Sequence, residues 1–149
     1  MRRGICGICV ALLALTSWAA YAQAAQEEPP APIVLGGKEF APNGEGWGTE
    51  RPHQIFNGGD PSGLVTHIRW RSWGGPTAIG WGRNPIFKPH GGYYRRPVRI
   101  ELRASAVGSC EGRRAYTRLS FREPSRPGSK LGPWRLWSGA SRFCSAPGA

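Results

Sequence analysis

The chain is poor in the side chains from which most catalytic and metal sites are built. Its 149 residues include 9 acidic side chains and three histidines, and Asp60 is the only aspartate. No histidine stands near a carboxylate or a cysteine at the spacing of a metal or catalytic motif, and the patterns Gly-x-Ser-x-Gly, HExxH and the P-loop are absent. We therefore expect no cofactor, no metal and no catalytic residue, and we favour a non-catalytic protein.

The sequence also lacks an amphipathic helical stripe. It contains 22 glycines and 14 prolines, nearly all of them after residue 24, and they would interrupt most helices. Several segments instead alternate apolar and polar residues with a period of two, which is typical of half-buried strands. We predict an all-β fold, a small antiparallel sandwich or partly closed barrel of five or six strands with an irregular N-terminal arm.

Residues 1–24 have the composition of a secretory signal peptide. Arg2 and Arg3 precede an apolar run over residues 5–20, and the sequence AQA at residues 22–24 fits cleavage by signal peptidase. A transmembrane anchor is the alternative, but a bilayer span needs roughly 20 apolar residues. We predict a secreted protein of the extracellular space or cell envelope, with no transmembrane anchor in the mature chain.

The chain that remains after residue 24 is the size of one domain and strongly basic. Of the 20 Lys and Arg residues 18 remain, against 9 Asp and Glu, which gives a net charge of +9. We assign residues 25–51 to a flexible to irregular arm, in which residues 40–47 are expected to pack against the sheet without joining it, and residues 52–149 to the β domain. The charge favours an anionic partner such as an acidic envelope polymer, whereas the predicted export argues against nucleic acid.

Two cysteines remain in the predicted mature chain, Cys110 and Cys144. Outside the cell the environment is oxidising, so the simplest arrangement is a disulfide between them. Closing a loop of this length should stabilise the domain by about 3 to 4 kcal/mol. No Cys-x-x-Cys or Cys/His spacing favours a metal site instead.

The clearest strand pattern lies in two alternating segments, residues 64–73 and 77–83, around the pair Gly74-Gly75. That pair readily adopts the positive φ of a tight hairpin turn. With a two-residue loop, the large apolar side chains of both strands fall on one side, which we expect to face the core. These residues are Ile68, Trp70, Ile79 and Trp81.

The opposite side of this predicted hairpin would place long basic side chains over a floor of small residues, namely Ala78, Gly80 and Gly82. An exposed tryptophan beside arginines can stack on a sugar ring or a base while the arginines contact anionic groups. The alternative is that the arginine stems only cover the ring. We predict a binding surface, to which a short last strand at residues 134–138 adds one residue. Its members are Arg69, Arg71, Trp73 and Trp137.

Two further strands complete the predicted sheet, at residues 98–105 and 115–122. In the first, VRIELRAS, every second residue is apolar, which predicts one buried and one wet face. The residues expected in the core are Val98, Ile100, Leu102 and Ala104. In the second, Tyr116 is expected on the side of the strand opposite to Leu119.

The run HIRWRSWGGPTAIGWG at residues 67–82, with residues 59–63, Gly108-Ser109-Cys110 and Tyr116, resembles a group of small secreted actinobacterial proteins of unknown function. Their shared pattern is similar to W-x-x-W-G-G-x-x-A-x-G-x-G, and the resemblance covers residues 55–122. It implies export and a β domain, and it brings no known activity or catalytic residues. Arg69, Arg71 and the Trp-rich tail depart from this pattern.

Our first interpretation is an exported, non-catalytic, basic β domain that binds an anionic or glycan component of the cell envelope. The alternative is a secreted hydrolase of envelope material that uses His67 or His90 with Asp60. A structural envelope protein without a ligand is a third possibility. A histidine and a carboxylate within hydrogen-bond reach inside a cleft would favour the enzyme.

Overall fold

The computed structural model describes residues 30–140 and 142–144, so the predicted signal peptide lies outside the described residues. The strands of the described part of the chain are β1 Val34–Leu35, β2 Ile55–Phe56, β3 Leu64–Trp70, β4 Ala78–Asn84, β5 Val98–Cys110, β6 Arg113–Arg122 and β7 Arg135–Leu136. They form one sheet in the order β1-β6-β5-β4-β3-β2, with β7 also paired to β6. The sheet curls into a half-barrel, which confirms the predicted all-β, partly closed barrel.

Short 3-10 helices are the only helical elements in the described residues, at Lys38–Phe40, Pro61–Gly63 and Trp137–Gly139. Within that part of the chain, no helix has the length and apolar character needed to cross a membrane.

The β5–β6 hairpin is the centre of the sheet. A two-residue turn joins its strands, and both turn residues, Glu111 and Gly112, have the positive φ that a type I′ hairpin turn needs. The predicted alternation of β5 is confirmed, because all four of its expected core residues are buried. The expectation for Tyr116 is wrong: Tyr116 and Leu119 are both fully buried in one core although they are three residues apart.

A β-bulge in β3 changes the predicted hairpin register. Thr66 pairs with Arg83 as expected, but the register then shifts by one residue, so that Trp70 pairs with Gly80. The extra residue is His67, whose φ of 52° lies in the left-handed region. The bulge lets Val65 and Ile68 both point into the core, although strict alternation would place them on opposite faces.

The register shift reverses the faces of β4. Ala78, Gly80 and Gly82 are buried in contact with the core, whereas Ile79 and Trp81 lie on the outer face and are only half-buried. The prediction that these three small residues form an open, exposed surface is therefore wrong. A Cβ atom on Gly80 would lie 2.8 Å from the Trp70 ring, which already fills the space above this glycine.

The N-terminal arm contributes to the sheet and to the core. Val34 and Leu35 pair in parallel with Ala115 and Tyr116 of β6, so the arm adds a short strand to the sheet at β1. Apolar residues further along the arm are buried in the same core as the strands, which gives residues 33–47 a fixed place in the fold. The buried members are Ile33, Leu35, Phe40, Ala41 and Trp47.

The predicted disulfide is confirmed: Cys110 is bonded to Cys144, with their Cα atoms 4.9 Å apart. It ties the end of β5 to the C-terminal segment. The neighbouring Phe143 is 1% exposed, and its ring stacks on Trp47 with the centroids 5.1 Å apart. The disulfide and this aromatic contact together fasten the C-terminal segment to the arm.

Candidate anion-binding face

Cross-strand pairing brings a set of arginines together on the outer face of β3–β6. Directly paired residues in a sheet project to the same side. One row across the four strands reads Arg69, Trp81, Glu101, Arg122, and the adjacent rows add Arg83 paired with Arg99, and Arg103. We call this surface the arginine face and define it by Arg69, Trp81, Arg83, Arg99, Arg103, Arg122 and Trp134.

Two tryptophans lie under three of the five guanidinium groups of this face. The Cζ atom of Arg99 lies 4.7 Å from the centroid of Trp81. Trp134, which precedes β7, has Arg103 at 4.6 Å and Arg122 at 4.9 Å. A guanidinium stacked on a ring keeps its in-plane N–H donors free for a carboxylate or phosphate, so stacking orients these arginines without consuming their donors.

The arginine face has a large excess of positive charge. Its one acidic neighbour is Glu101, whose carboxylate accepts two hydrogen bonds from Arg122, at 2.9 Å and 2.6 Å. Among the described residues, no salt bridge engages the other four arginines of the face. Like charges on neighbouring strands repel each other, and an anionic ligand would relieve that repulsion.

A groove of about 560 Å³ runs along one end of the arginine face. Arg83, Arg96 and Arg99 line one wall, and the loop at residues 124–131 lines the other. Three guanidinium groups around one groove provide enough donors to bind a chain of anionic groups rather than a single ion.

The structure separates the four residues predicted as a binding surface. Arg69 and Arg71 are both exposed, but only Arg69 belongs to the arginine face, since Arg71 lies in the loop beyond β3. The indole N–H of Trp73 donates to the Ile33 carbonyl at 2.8 Å, and its ring packs against Trp70. Trp73 is therefore half-buried by the arm and does not form an open stacking platform.

Trp137 is 3% exposed, so the expectation that it is accessible is wrong. Its indole N–H donates to Asn57 Oδ1 at 3.0 Å, and its ring packs edge-on against Phe121. The tryptophans on the outer face are instead Trp81 and Trp134, neither of which the sequence pattern predicts there. The alternation of Trp81 with Arg83, read from the correct register, would have revealed the first of them.

The histidines and Asp60 do not form the arrangement that the hydrolase alternative requires. His67 lies at the bulge in a groove of about 780 Å³ that also contains His53 and Arg69. The Asp60 carboxylate instead accepts hydrogen bonds from the Ser62 N–H and the Tyr93 hydroxyl. Within the described part of the chain, no hydrogen bond joins a histidine to a carboxylate, and no three metal-ligating side chains form a cluster.

The hydrogen bond between Tyr93 and Asp60 holds the pKa of Asp60 below its ordinary value of 3.8, with a further contribution from Ser62. Desolvation is the main reason why the pKa of Tyr93 lies above its ordinary value of 10.0, and the same hydrogen bond raises it further. Because the pKa of Asp60 is lowered on folding, its contribution to stability is complete above pH 3.8 and is lost as the pH falls through the lowered pKa.

We expect Asp60→Asn to lower the pKa of Tyr93 towards its ordinary value, because the charged acceptor that stabilises the neutral phenol is removed. An NMR titration of the tyrosine ring carbons measures this shift. Tyr116 is the internal control, since burial raises its pKa and the substitution leaves it unchanged. An unaltered Tyr93 pKa would show that the bond is absent in solution.

Comparison of the chain with protein-family models, with curated proteins and with solved structures found no match. The resemblance to small secreted actinobacterial proteins therefore stays a prediction. The functional argument depends on the geometry of the arginine face.

Proposed function

We propose that this protein is an exported binding domain whose arginine face holds an anionic polymer of the cell envelope. The observation that carries the proposal is that Arg99 and Arg103 lie over two tryptophans of one sheet face while, among the described residues, no salt bridge engages them. Stacking reduces the side-chain freedom that binding would otherwise remove, so the donors are arranged before the ligand arrives.

The geometry favours a polymer over a small anion. The arginines are spread over four adjacent strands, which lie about 4.8 Å apart, so the face spans more than one anionic group. Planar guanidinium groups bind carboxylates and phosphates through paired hydrogen bonds. Each contact is exposed and weak, and affinity would come from several contacts along one chain.

Export is part of the proposal. Arg2, Arg3 and the apolar run that follows them have the form of a signal peptide. The disulfide between Cys110 and Cys144 is of the kind that persists in an oxidising compartment. An exported basic domain meets carboxylate-bearing and phosphate-bearing envelope polymers before it meets nucleic acid.

The double substitution Arg99→Gln/Arg103→Gln tests the proposal. We expect its affinity for polygalacturonate and for long-chain polyphosphate to fall up to about tenfold, because each lost exposed ion pair contributes roughly 0.2–1 kcal/mol. The dependence of affinity on salt concentration should also become weaker, because fewer charges remain to be screened. Titration of purified mature protein at low and high salt measures both effects, and envelope fractions provide the natural polymers.

The matched control is Lys38→Gln/Arg114→Gln, which removes the same charge from exposed positions that are not part of the arginine face. We expect it to lower affinity much less than the test variant. Equal losses in the two variants would mean that net charge alone attracts polyanions, and the proposed face would be wrong.

A further inference from the structure

A second cleft, of about 350 Å³, opens on the inner side of the sheet, away from the arginine face. Asn84 of β4 and Phe121 of β6 both line it, and both belong to the inner face: Asn84 shares the parity of the buried glycines of β4, and Phe121 pairs with the core residue Leu102. The cleft is closed at one end by the 3-10 helix Pro61–Gly63.

The side chain of Asn84 gives this cleft a fixed hydrogen-bond acceptor. Asn84 is only 2% exposed, and its amide nitrogen donates to the carbonyls of Ser62 and Leu64 at 3.0 Å and 2.7 Å. These two bonds fix the orientation of the amide. Among the described residues, no donor forms a hydrogen bond with its Oδ1 atom. Every fully buried polar side-chain atom in that part of the chain does have a partner. The Oδ1 atom is therefore not fully buried, and we take the cleft that Asn84 lines as its point of access. A buried amide with an oxygen left open is suited to receive a ligand donor.

Two carboxylates add further acceptors. Asp60 uses Oδ1 for Ser62 and Tyr93, and Glu123 uses Oε1 for Arg135. The second oxygen of each has no partner among the residues that the structure describes. Three residues that line the cleft, Asn84, Asp60 and Glu123, therefore each keep an acceptor oxygen without a described partner, which favours a ligand that supplies several donors.

Aromatic rings lie beside these acceptors. Phe87 is 53% exposed, which is unusual for a large apolar side chain, and it lines the cleft. It stacks on Tyr93 with the ring centroids 4.4 Å apart, and the hydroxyl of Tyr93 is bound to Asp60. This chain of contacts holds an exposed ring at a fixed position next to the acceptors.

We infer that this cleft binds one unit of a hydroxyl-rich sugar. A pyranose ring has C–H faces that pack on an aromatic ring and hydroxyls that donate to acceptors, which are the two features that the cleft combines. Its volume is at the lower end of the range for small-molecule sites and fits one or two rings. The inference does not rest on the arginine face, because no residue of that face lines the cleft, whose one arginine, Arg135, is paired with Glu123.

Two-dimensional NMR of the mature, disulfide-bonded protein tests this inference, with glucose, N-acetylglucosamine and their short oligomers as probes. We expect saturable shifts of the Asn84 side-chain amide and the Trp137 indole N–H, with a dissociation constant on the order of 1 mM, as is usual for one small polar ligand. Signals of the arginine face should not move. An absence of saturable shifts at these two groups would overturn the inference.

Phe87→Ala should weaken the best sugar about tenfold, and Asp60→Asn/Glu123→Gln should weaken it by a similar factor. Phe87 is exposed, so its loss leaves the fold intact. The matched control is Val107→Ala, a second exposed apolar residue that does not line the cleft, and it should leave the affinity unchanged.

Tight binding of simple ammonium compounds in place of sugars would also overturn the inference, because it would show that charge rather than hydroxyl donors is recognised. Arg99→Gln/Arg103→Gln should bind the sugar normally. The two proposals therefore fail independently: loss of polymer binding concerns the arginine face, and loss of sugar binding concerns the cleft.

Discussion

Replacing Cys110 and Cys144 together with serine is expected to lower the free energy of unfolding by about 3 to 4 kcal/mol. The bond closes a loop with a sequence separation of 34, and opening it returns that loop entropy to the unfolded chain. A domain of this size has a total stability of about 5–15 kcal/mol, so the disulfide contributes a large fraction of it.

The disulfide also holds contacts in place in the folded state. The amide of Phe143 donates to the Thr117 carbonyl at 2.9 Å, and the ring of Phe143 packs against Phe40 and Trp47. Phe143 is the neighbour of Cys144 in the chain, so the bond to Cys110 anchors these contacts covalently. Local loss of the Phe143 contacts is expected to accompany loss of the disulfide.

Urea unfolding followed by tryptophan fluorescence measures the effect. With a slope of about 2 kcal/mol per molar urea, the midpoint should fall by about 2 M. The wild-type protein kept reduced in the same buffer should unfold at the same midpoint as the double variant, which controls for the serine side chains. An unchanged midpoint in both would mean that the bond contributes nothing to stability.

The parts of the fold that could be predicted from sequence are those in which one face of a strand is buried and the other is wet. In β5, apolar and polar residues alternate from Val98 to Ser105 without interruption, and the structure buries the apolar set. The disulfide could be predicted for a different reason, since only two cysteines follow the proposed signal peptide.

The hairpin register could not be predicted, because local pattern does not reveal a bulge. His67 has the positive φ of the extra residue, and most residues other than glycine avoid that conformation. Tertiary packing decides the matter: the bulge lets Val65 and Ile68 both enter the core and gives the Trp70 ring the space above Gly80. This gain arises from contacts that are distant in sequence.

The register shift in β3 also explains why the binding surface predicted from sequence differs from the arginine face. Arg69 was correctly placed on an exposed face, but the face continues over Trp81 and Arg99 rather than over small residues. Trp137 was placed by extending strand alternation past Leu136, where the chain enters a 3-10 turn and turns the ring inward. The arm was assigned by composition, which does not show that Val34 and Leu35 complete the edge of β6.

Gly82→Val tests the corrected register directly, and we expect it to destabilise the domain by about 3 kcal/mol, at the upper end of the cost of overpacking a core. A Cβ atom at this position would lie 2.5 Å from Val65 Cγ1 and 3.0 Å from the Thr66 carbonyl oxygen. Val65 is fully buried and β-branched, so it has little freedom to move away.

Arg83→Val is the matched control, because it places the same residue at the next position of the same strand, on the exposed outer face. Valine has a high strand preference, and exposed substitutions usually change stability by less than about 0.5 kcal/mol. Thermal unfolding of the two variants should therefore differ by about 10 °C or more, since 1 kcal/mol shifts the midpoint of a small domain by about 4 °C. The register predicted from strict alternation gives no such loss, because Gly82→Val would be tolerated on an open face, so the presence or absence of this difference decides between the two arrangements of β4.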